Sequence, residues 1–283
     1  MSLLEGLFVP RWAGGWTLSR LIFAWAQAIE LLRQFRQISD SFSHPTFNFG
    51  TGLLHFSNAP LLSAPLAWGC GILAALGLLG LARGGALARP GLLLWILAEL
   101  ALFGGLGWEI NAPERIMGWS AVGLMLGPIQ EHHLHLKWRS PVGRWFFLLW
   151  ISAMYFMAGW MKAVEEPGWW DGSILAQAMA DPIMGGTPWG IWLSTLPWVP
   201  RLLAWFTLGF EISFAFFVGI AESNPVILAI GVLFHGGISG LMSVGTLGLT
   251  VLAAYPVLLD PDVAERCWWW LTPRFSRFSG RIP

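Results

Sequence analysis

The sequence predicts an all-α, polytopic membrane protein, built as a helical bundle of about eight transmembrane helices. Three observations lead to this prediction: hydrophobic residues make up 55% of the 283 residues, charged residues make up only 11%, and the mean hydropathy is +0.61. Soluble domains carry about 25% charged residues because their surfaces must be hydrated. The formal net charge is zero, so the chain lacks the excess of basic residues that favours nucleic-acid binding. We therefore expect no nucleic-acid partner.

A transmembrane helix needs about 20 mostly apolar residues to cross the hydrocarbon layer. Runs of this kind predict spans at Thr17–Ile38, Leu62–Leu81, Pro90–Trp108, Arg115–Leu126, Gly143–Val164, Arg201–Ala221 and Pro225–Met242. Gly245–Leu259 is a weaker eighth candidate. The run at Arg115–Leu126 is too short to cross unless it extends through Pro128, so the count lies between seven and nine.

Basic residues in the short loops predict the orientation of the bundle, because such loops are retained in the cytoplasm. They are Arg83, Arg89, Lys137, Arg139 and Arg144, with Arg266, Arg274, Arg277 and Arg281 in the tail. This arrangement predicts a cytoplasmic N-terminal segment at 1–16, a membrane domain at 17–259 and a cytoplasmic tail at 260–283. The compact single-domain form suggests a bacterial inner membrane.

The loops predicted to face outward contain neither Lys nor Arg, at Ser39–Leu61 and Glu165–Pro200. Within the second loop, the stretch Gly185–Pro200 is too rich in proline and glycine for a helix and too apolar for a free loop. We expect it to lie on the outer membrane surface or to dip into it. The chain is also rich in tryptophan, with 20 residues, and many fall where interfacial aromatic belts are expected.

Ionisable side chains inside spans are costly and mark interior contacts or function. The candidates are Arg20, Glu30, Glu99, Lys162, Glu211 and His235. A structural interpretation stays open for each of them: Arg20 or Lys162 could neutralise Glu99 or Glu211 across a helix interface. His235 could equally be a hydrogen-bonded core residue.

Lys162 is the sharpest of these candidates, because the chain has only two lysines and an apolar run precedes this one. The side chain could extend to the outer interface, where Glu165 and Glu166 lie within one turn. A desolvated lysine, however, loses its proton more easily, and a neutral amine is a competent general base. The sequence leaves both interpretations open.

The stretch Glu131–His135 contains three histidines, His132, His133 and His135, in a predicted cytoplasmic loop. It lacks the spacing of a known zinc motif, and adjacent residues on a helix point in different directions. We therefore predict no metal site.

The run YFMAGWMKAVEEPGWWDGSILAQAM at Tyr155–Met179 resembles the core motif of the HTTM (horizontally transferred transmembrane domain) family, which includes the membrane portion of vitamin K-dependent gamma-glutamyl carboxylase. Tyr155, Lys162, Trp170 and Gly172 match the motif. Further matches are Glu211 in the next span, Phe234-His235 beyond it, and Arg20 in the first span. The resemblance implies a carboxylase-like bundle of eight or nine helices with a central cavity that opens outward.

This resemblance also implies chemistry. It makes Lys162 the candidate base that deprotonates a reduced quinone, with Glu211 and His235 in support, and it makes Tyr155, Trp170 and Arg20 candidate cofactor-binding residues for a quinone or another lipid. The chain departs from the carboxylase in two respects: Met161 stands where a second lysine is expected, and only 24 residues follow Leu259. Whether the protein is an enzyme is therefore left open by the sequence.

Two further functions stay open beside a carboxylase-like or epoxidase-like enzyme. One is a non-catalytic subunit of a larger respiratory or photosynthetic membrane complex, with lipids and other membrane proteins as partners and Lys162 as a counter-ion for Glu211. The other is a module that holds a lipid, quinone or pigment without reacting.

Overall fold

The computed structural model describes residues 11–12, 14–43, 63–106, 112–129, 137–138, 142–181, 186–260, 262–264 and 266. Within these ranges the chain is almost entirely helical. The helices are α1 Gly14–Ser43, α2 Ala64–Arg83, α3 Ala88–Leu106, α4 Ala112–Leu126, α5 Val142–Glu165, α6 Gly168–Asp171, α7 Ser173–Ala180, α8 Pro188–Ser194, α9 Trp198–Phe217, α10 Asn224–Leu241, α11 Leu247–Leu252 and α12 Tyr255–Leu258. The predicted all-α bundle is confirmed.

Five helical stretches in the described part of the chain are long and apolar enough to cross a membrane. They are Ala64–Arg83, Gly85–Leu102, Val142–Glu165, Trp198–Phe217 and Asn224–Leu241. The long helix α1 coincides with the first predicted span, but its charged residues set it apart from these five. Helix α4 has only 15 residues, fewer than the roughly 20 that a straight crossing requires.

The weak eighth candidate, Gly245–Leu259, is divided into α11 and α12, with a turn at Ala253–Ala254 between them. Pro256 lies in the first turn of α12, and its missing N–H cannot donate to the carbonyl of Leu252, so α11 cannot continue unbroken into α12. The two short helices pack against the N-terminal half of α1 and the start of α5. Arg144 donates to the carbonyl oxygens of Val257 and Leu258 at 3.3 and 3.2 Å.

Close helix pairs organise the bundle. Helices α2 and α3 run antiparallel in close contact, because Gly77, Gly80 and Gly91 leave space between their backbones. Helices α5 and α9 form a second antiparallel pair. A two-residue antiparallel ladder joins Arg11–Trp12 to Lys137–Trp138, at the end of the bundle where α1 and α5 begin.

Helices α6 to α8, which we call the cap, lie where α5 and α10 end. The cap is held by polar contacts: Thr187 Oγ1 donates to the carbonyl of Gly240 at 2.8 Å, and Trp205 Nε1 donates to that of Trp170 at 2.9 Å. Its tryptophans are largely exposed, at 54% for Trp170 and 68% for Trp189. Exposed aromatic rings at one end of a bundle are typical of a membrane interface.

The prediction that Gly185–Pro200 is too rich in proline and glycine for a helix is wrong. Helix α8 occupies Pro188–Ser194, and α9 begins at Trp198. Thr187 caps α8, because its Oγ1 accepts a hydrogen bond from Gly190 N at 3.0 Å. Pro188 and Pro200 lie in first turns, where the missing N–H leaves no intrahelical bond unmade.

Candidate functional site

An ion pair joins the two antiparallel helices α5 and α9. Lys162 Nζ donates to both carboxylate oxygens of Glu211, at 2.5 Å to Oε1 and 2.7 Å to Oε2. The Glu211 side chain is 7% exposed and that of Lys162 is 25% exposed. A charged pair in this setting depends on short contacts and excellent geometry, because both groups have lost much of their hydration.

Gly159 makes this pairing possible. It lies one turn before Lys162 on the face of α5 that meets α9. A Cβ at Gly159 would come within 2.9 Å of Glu211 Cβ and of Ile212 Cγ1. Glycine therefore lets the two backbones approach closely enough for the lysine to reach both carboxylate oxygens.

Lys162 has a second neighbour, the indole of Trp169, whose ring centroid lies 5.1 Å from Nζ. This distance places the ammonium within cation–π range. Trp169 is itself held by a hydrogen bond from its Nε1 to Glu166 Oε2 at 2.9 Å. The sequence singled out Trp170, but the neighbouring tryptophan is the one that contacts the lysine.

Trp170 has a different place in the site. It is exposed, its Nε1 donates to the carbonyl of Ala163 at 2.8 Å, and it lines a groove on the surface of α5 and α9. The groove has a volume of about 520 Å³ and includes Ala163 and Ile212, the neighbours of Lys162 and Glu211 in sequence. The groove thus runs past residues that are adjacent to the ion pair in sequence, while the side chains of Lys162 and Glu211 do not belong to its lining.

Tyr155 and His235 form a second polar contact deeper in the bundle. Their Oη and Nε2 atoms are hydrogen-bonded, and the hydroxyl of Tyr255 lies 2.9 Å from that of Tyr155. All three side chains are buried. Their partners are mutual, so each polar atom in this contact is satisfied despite its apolar surroundings.

Aromatic rings enclose this polar contact. The Tyr155 ring lies 4.5 Å from that of Phe214 and 5.3 Å from that of Phe210, and Phe234 lies 4.6 Å from Phe210. Tyr155 precedes Lys162 by seven residues, two helical turns, so both side chains project from the same face of α5 about 10 Å apart along the axis. One face of α5 therefore carries both polar groups.

Tyr255 was not identified from the sequence as part of this cluster. A signal was present: the chain contains only two tyrosines, and they are Tyr155 and Tyr255. Gly231 is needed for the contact as well, because a Cβ there would come within 2.2 Å of the Tyr255 hydroxyl oxygen. Neither the pairing nor the role of the glycine could be seen before α10 and α12 were placed beside each other.

Arg20 lies at the other end of the bundle. Its guanidinium contacts Gly84, which follows α2. Trp16, one turn earlier in α1, contacts Gly143 at the start of α5. Gly143 precedes Lys162 by nineteen residues, about 28 Å along a helix. The structure therefore brings together Lys162, Glu211, Tyr155 and His235, with Trp170 at the groove, and leaves Arg20 apart from them.

The other ionisable residues predicted inside spans contact different partners. Glu99 accepts a hydrogen bond from Gln34 Nε2 at 3.1 Å, and Glu30 accepts one from Thr246 Oγ1 at 3.0 Å. Among the described residues, His, Cys, Asp and Glu side chains form no group of three that could hold a metal ion. The Glu131–His135 stretch lies outside those residues.

Part of the chain matches a protein-family model. Residues 132–263 match the family model described as the HTTM domain. This segment contains the Lys162–Glu211 pair and the Tyr155–His235 contact, whereas Arg20 precedes it. No curated protein and no solved structure matches the chain. The match agrees with the resemblance noted in the sequence, and this chain is a membrane protein that is similar to the HTTM family over residues 132–263.

Proposed function

We propose that this membrane protein binds a quinone or another lipid beside Lys162 and exchanges a proton with it. The observation that carries the proposal is the Lys162–Glu211 ion pair, which joins two membrane-spanning helices next to the residues that line an apolar groove. Ionisable residues within membrane-spanning helices are rare and commonly mark a functional site. A groove of about 520 Å³ is in the size range of small-molecule sites.

The pair contains a proton donor and a proton acceptor, as proton exchange requires. Transfer of one proton from the Lys162 ammonium to the Glu211 carboxylate would leave a neutral amine and a neutral carboxyl group, and the pair would keep a net charge of zero. The 2.5 and 2.7 Å contacts give this transfer a direct path. The neutral amine would then accept a proton from an acidic ligand group, such as the hydroxyl of a reduced quinone.

Other residues would have supporting roles. Trp170 would form part of the groove wall along the apolar body of the ligand. Tyr155 and His235 would supply a second hydrogen-bonding group two turns deeper in the bundle. The proposed ligand chemistry follows the family resemblance, and the groove beside the pair supports it.

The proposal includes an orientation. With both termini cytoplasmic in a bacterial inner membrane, the cap and the C-terminal end of α5 face outward. Described basic residues support this arrangement, because Arg83, Arg89 and Arg144 lie at the opposite end of the bundle. A protease-accessibility assay on intact inverted vesicles, with tags at each terminus, tests it.

The function is tested with the purified protein in lipid nanodiscs, a reduced short-chain naphthoquinone and oxygen. Quenching of tryptophan fluorescence reports binding, and mass spectrometry of the quinone product reports turnover. We expect Lys162→Ala to abolish turnover. Arg201→Ala is a matched control, because Arg201 also lies 5.1 Å from a tryptophan ring, that of Trp205, but is exposed. Equal turnover in Lys162→Ala and the wild type would refute the role of Lys162.

A second candidate function is a non-catalytic subunit of a larger membrane complex. The observation that favours it is the two-point contact between Lys162 and Glu211, which would serve equally well as a clamp between α5 and α9. Under this alternative the protein would leave native membranes in mild detergent with stoichiometric membrane-protein partners. Native mass spectrometry of that extract distinguishes the two functions, since a free monomer that retains a quinone-sized ligand would support the first.

A further inference from the structure

Arg20 is a buried cation without a counter-charge in the described part of the chain. Its side chain is 3% exposed, and its Nε and Nη1 atoms have no hydrogen-bond partner. The ion pairs found among the described residues are Lys162–Glu211 and Arg33–Glu30, and neither involves Arg20. A buried guanidinium without an anion is strongly unfavourable, and arginine does not lose its proton in proteins.

The backbone is shaped around this side chain. Gly84 has φ +80°, in the region that favours glycine, and a Cβ there would come within 1.7 Å of Arg20 Nη1. The guanidinium therefore packs directly on the Cα of Gly84, between the end of α2 and the start of α3. This contact fixes the position of the charge and leaves two of its donors without acceptors.

More unsatisfied donors lie at the same end of the bundle. Arg89 donates through Nη2 to the carbonyl of Gly127 at 3.2 Å, while its buried Nε atom has no partner. Gly127 packs on the ring of Trp16, one turn before Arg20. The hydroxyl of Ser19, the residue before Arg20, is also buried and unpartnered. These groups are donors or cations, and an acceptor with negative charge would satisfy them.

We propose that Arg20, with Arg89 nearby, holds a phosphate-class oxyanion at the end of the bundle opposite to the cap. Phosphate oxygens match guanidinium donors in charge and geometry, and basic pockets between transmembrane helices bind lipid headgroups. The anion is either the headgroup phosphate of an anionic phospholipid or free phosphate. The site is separate from the Lys162–Glu211 pair, so this proposal is tested independently of the proposed function.

The test measures thermal unfolding of the purified full chain in an uncharged detergent. The probes are inorganic phosphate, phosphatidylglycerol, and phosphatidylcholine with the same acyl chains. A ligand that binds only the folded state raises the midpoint of unfolding. We expect phosphate or phosphatidylglycerol to raise the wild-type midpoint by at least about 2 °C, and phosphatidylcholine to have a smaller effect.

Two variants at Arg20 and one control complete the test. Arg20→Met removes the charge and keeps the apolar stem, and Arg20→Lys keeps the charge but loses the planar donors. Both should weaken the apparent affinity for the probe by about tenfold or more. Arg83→Met is the matched control, because Arg83 precedes Gly84 and is exposed. It should retain the wild-type response.

Each outcome decides the proposal. A response to phosphate alone supports a free-ion site, and a response to phosphatidylglycerol without phosphate supports a headgroup site. Failure of all probes to stabilise the wild type overturns the proposal. Equal losses in Arg20→Lys and Arg83→Met would also overturn it, because they would indicate attraction to the general positive charge at this end. If Arg20→Met does not fold, Arg20→Lys provides the comparison.

Discussion

Lys162 donates to both carboxylate oxygens of Glu211, at 2.5 and 2.7 Å, and so connects the end of α5 to the middle of α9. The carboxylate is almost fully buried and the lysine is partly exposed. One residue of the pair can therefore meet a ligand while the other stays shielded. This asymmetry is consistent with the proposal that the lysine exchanges a proton with the ligand and the glutamate holds it.

The contributions of Lys162 and Glu211 to the free energy of unfolding should be strongly coupled. Lys162→Met leaves the buried Glu211 carboxylate without a partner, and we expect a loss of about 2–5 kcal/mol in the free energy of unfolding. Lys162→Met combined with Glu211→Leu removes both charges and should cost less than Lys162→Met alone. Denaturation of the purified variants in detergent measures this double-mutant cycle. Additive losses would show that the two side chains do not interact.

Gly159→Ala should separate α5 from α9. The added Cβ would lie 2.9 Å from Glu211 Cβ and from Ile212 Cγ1, so the helices must shift. We expect destabilisation of about 1–3 kcal/mol, as for overpacking in a well-packed core. Gly209→Ala is the matched control on α9, because a Cβ there would meet no atom within 4 Å. Thermal unfolding should separate the two variants, and equal stability would contradict the close approach.

The contact between the two tyrosines should depend on Gly231. Gly231→Ala would place a Cβ within 2.2 Å of Tyr255 Oη and displace the hydroxyl from Tyr155. We expect Gly231→Ala and Tyr155→Phe each to destabilise the fold by about 1–3 kcal/mol, since each leaves buried polar atoms unsatisfied. Gly236→Ala, on the same helix with open space around it, should be neutral. A crystal or cryo-electron microscopy structure of Gly231→Ala would show the displacement.

The turn between α6 and α7 should weaken in acid. Asp171 Oδ1 accepts a hydrogen bond from Ser173 N at 2.8 Å, and this bond lowers the pKa of the Asp171 carboxyl group below its ordinary value of 3.8. A lowered pKa means that the contribution to stability is complete above the unfolded-state value and is lost as the pH falls through the folded-state value. Below about pH 4, amide hydrogen exchange at Ser173 should therefore increase relative to Asp171→Asn, which keeps the acceptor oxygen and does not titrate. Identical exchange in both proteins across this range would contradict the prediction.

Most of the bundle could be predicted from composition and from the lengths of apolar runs. Long apolar runs at Gly143–Val164 and Pro225–Met242 correspond to α5 and α10 within two residues at each end, because the length of a membrane-spanning helix is set by the thickness of the hydrocarbon layer. The error at Gly185–Pro200 has a local cause. A count of prolines and glycines ignores where these residues lie in a helix. Pro188 and Pro200 both lie in the first turn of a helix, where proline is tolerated.

The sequence by itself determined that the protein is an all-α membrane protein, that residues 132–263 match the HTTM family model, and that Lys162, Glu211 and His235 are unusual residues for apolar helices. Only the tertiary structure decided which of them meet. Lys162 and Glu211 lie 49 residues apart, Tyr155 and His235 lie 80 apart, and Arg20 packs on Gly84 at the far end of the bundle. Helical periodicity fixes the face on which each side chain lies, but the packing of one helix on another fixes its partner. That packing depends on close approaches at Gly159 and Gly231, which become visible only when both helices are in place.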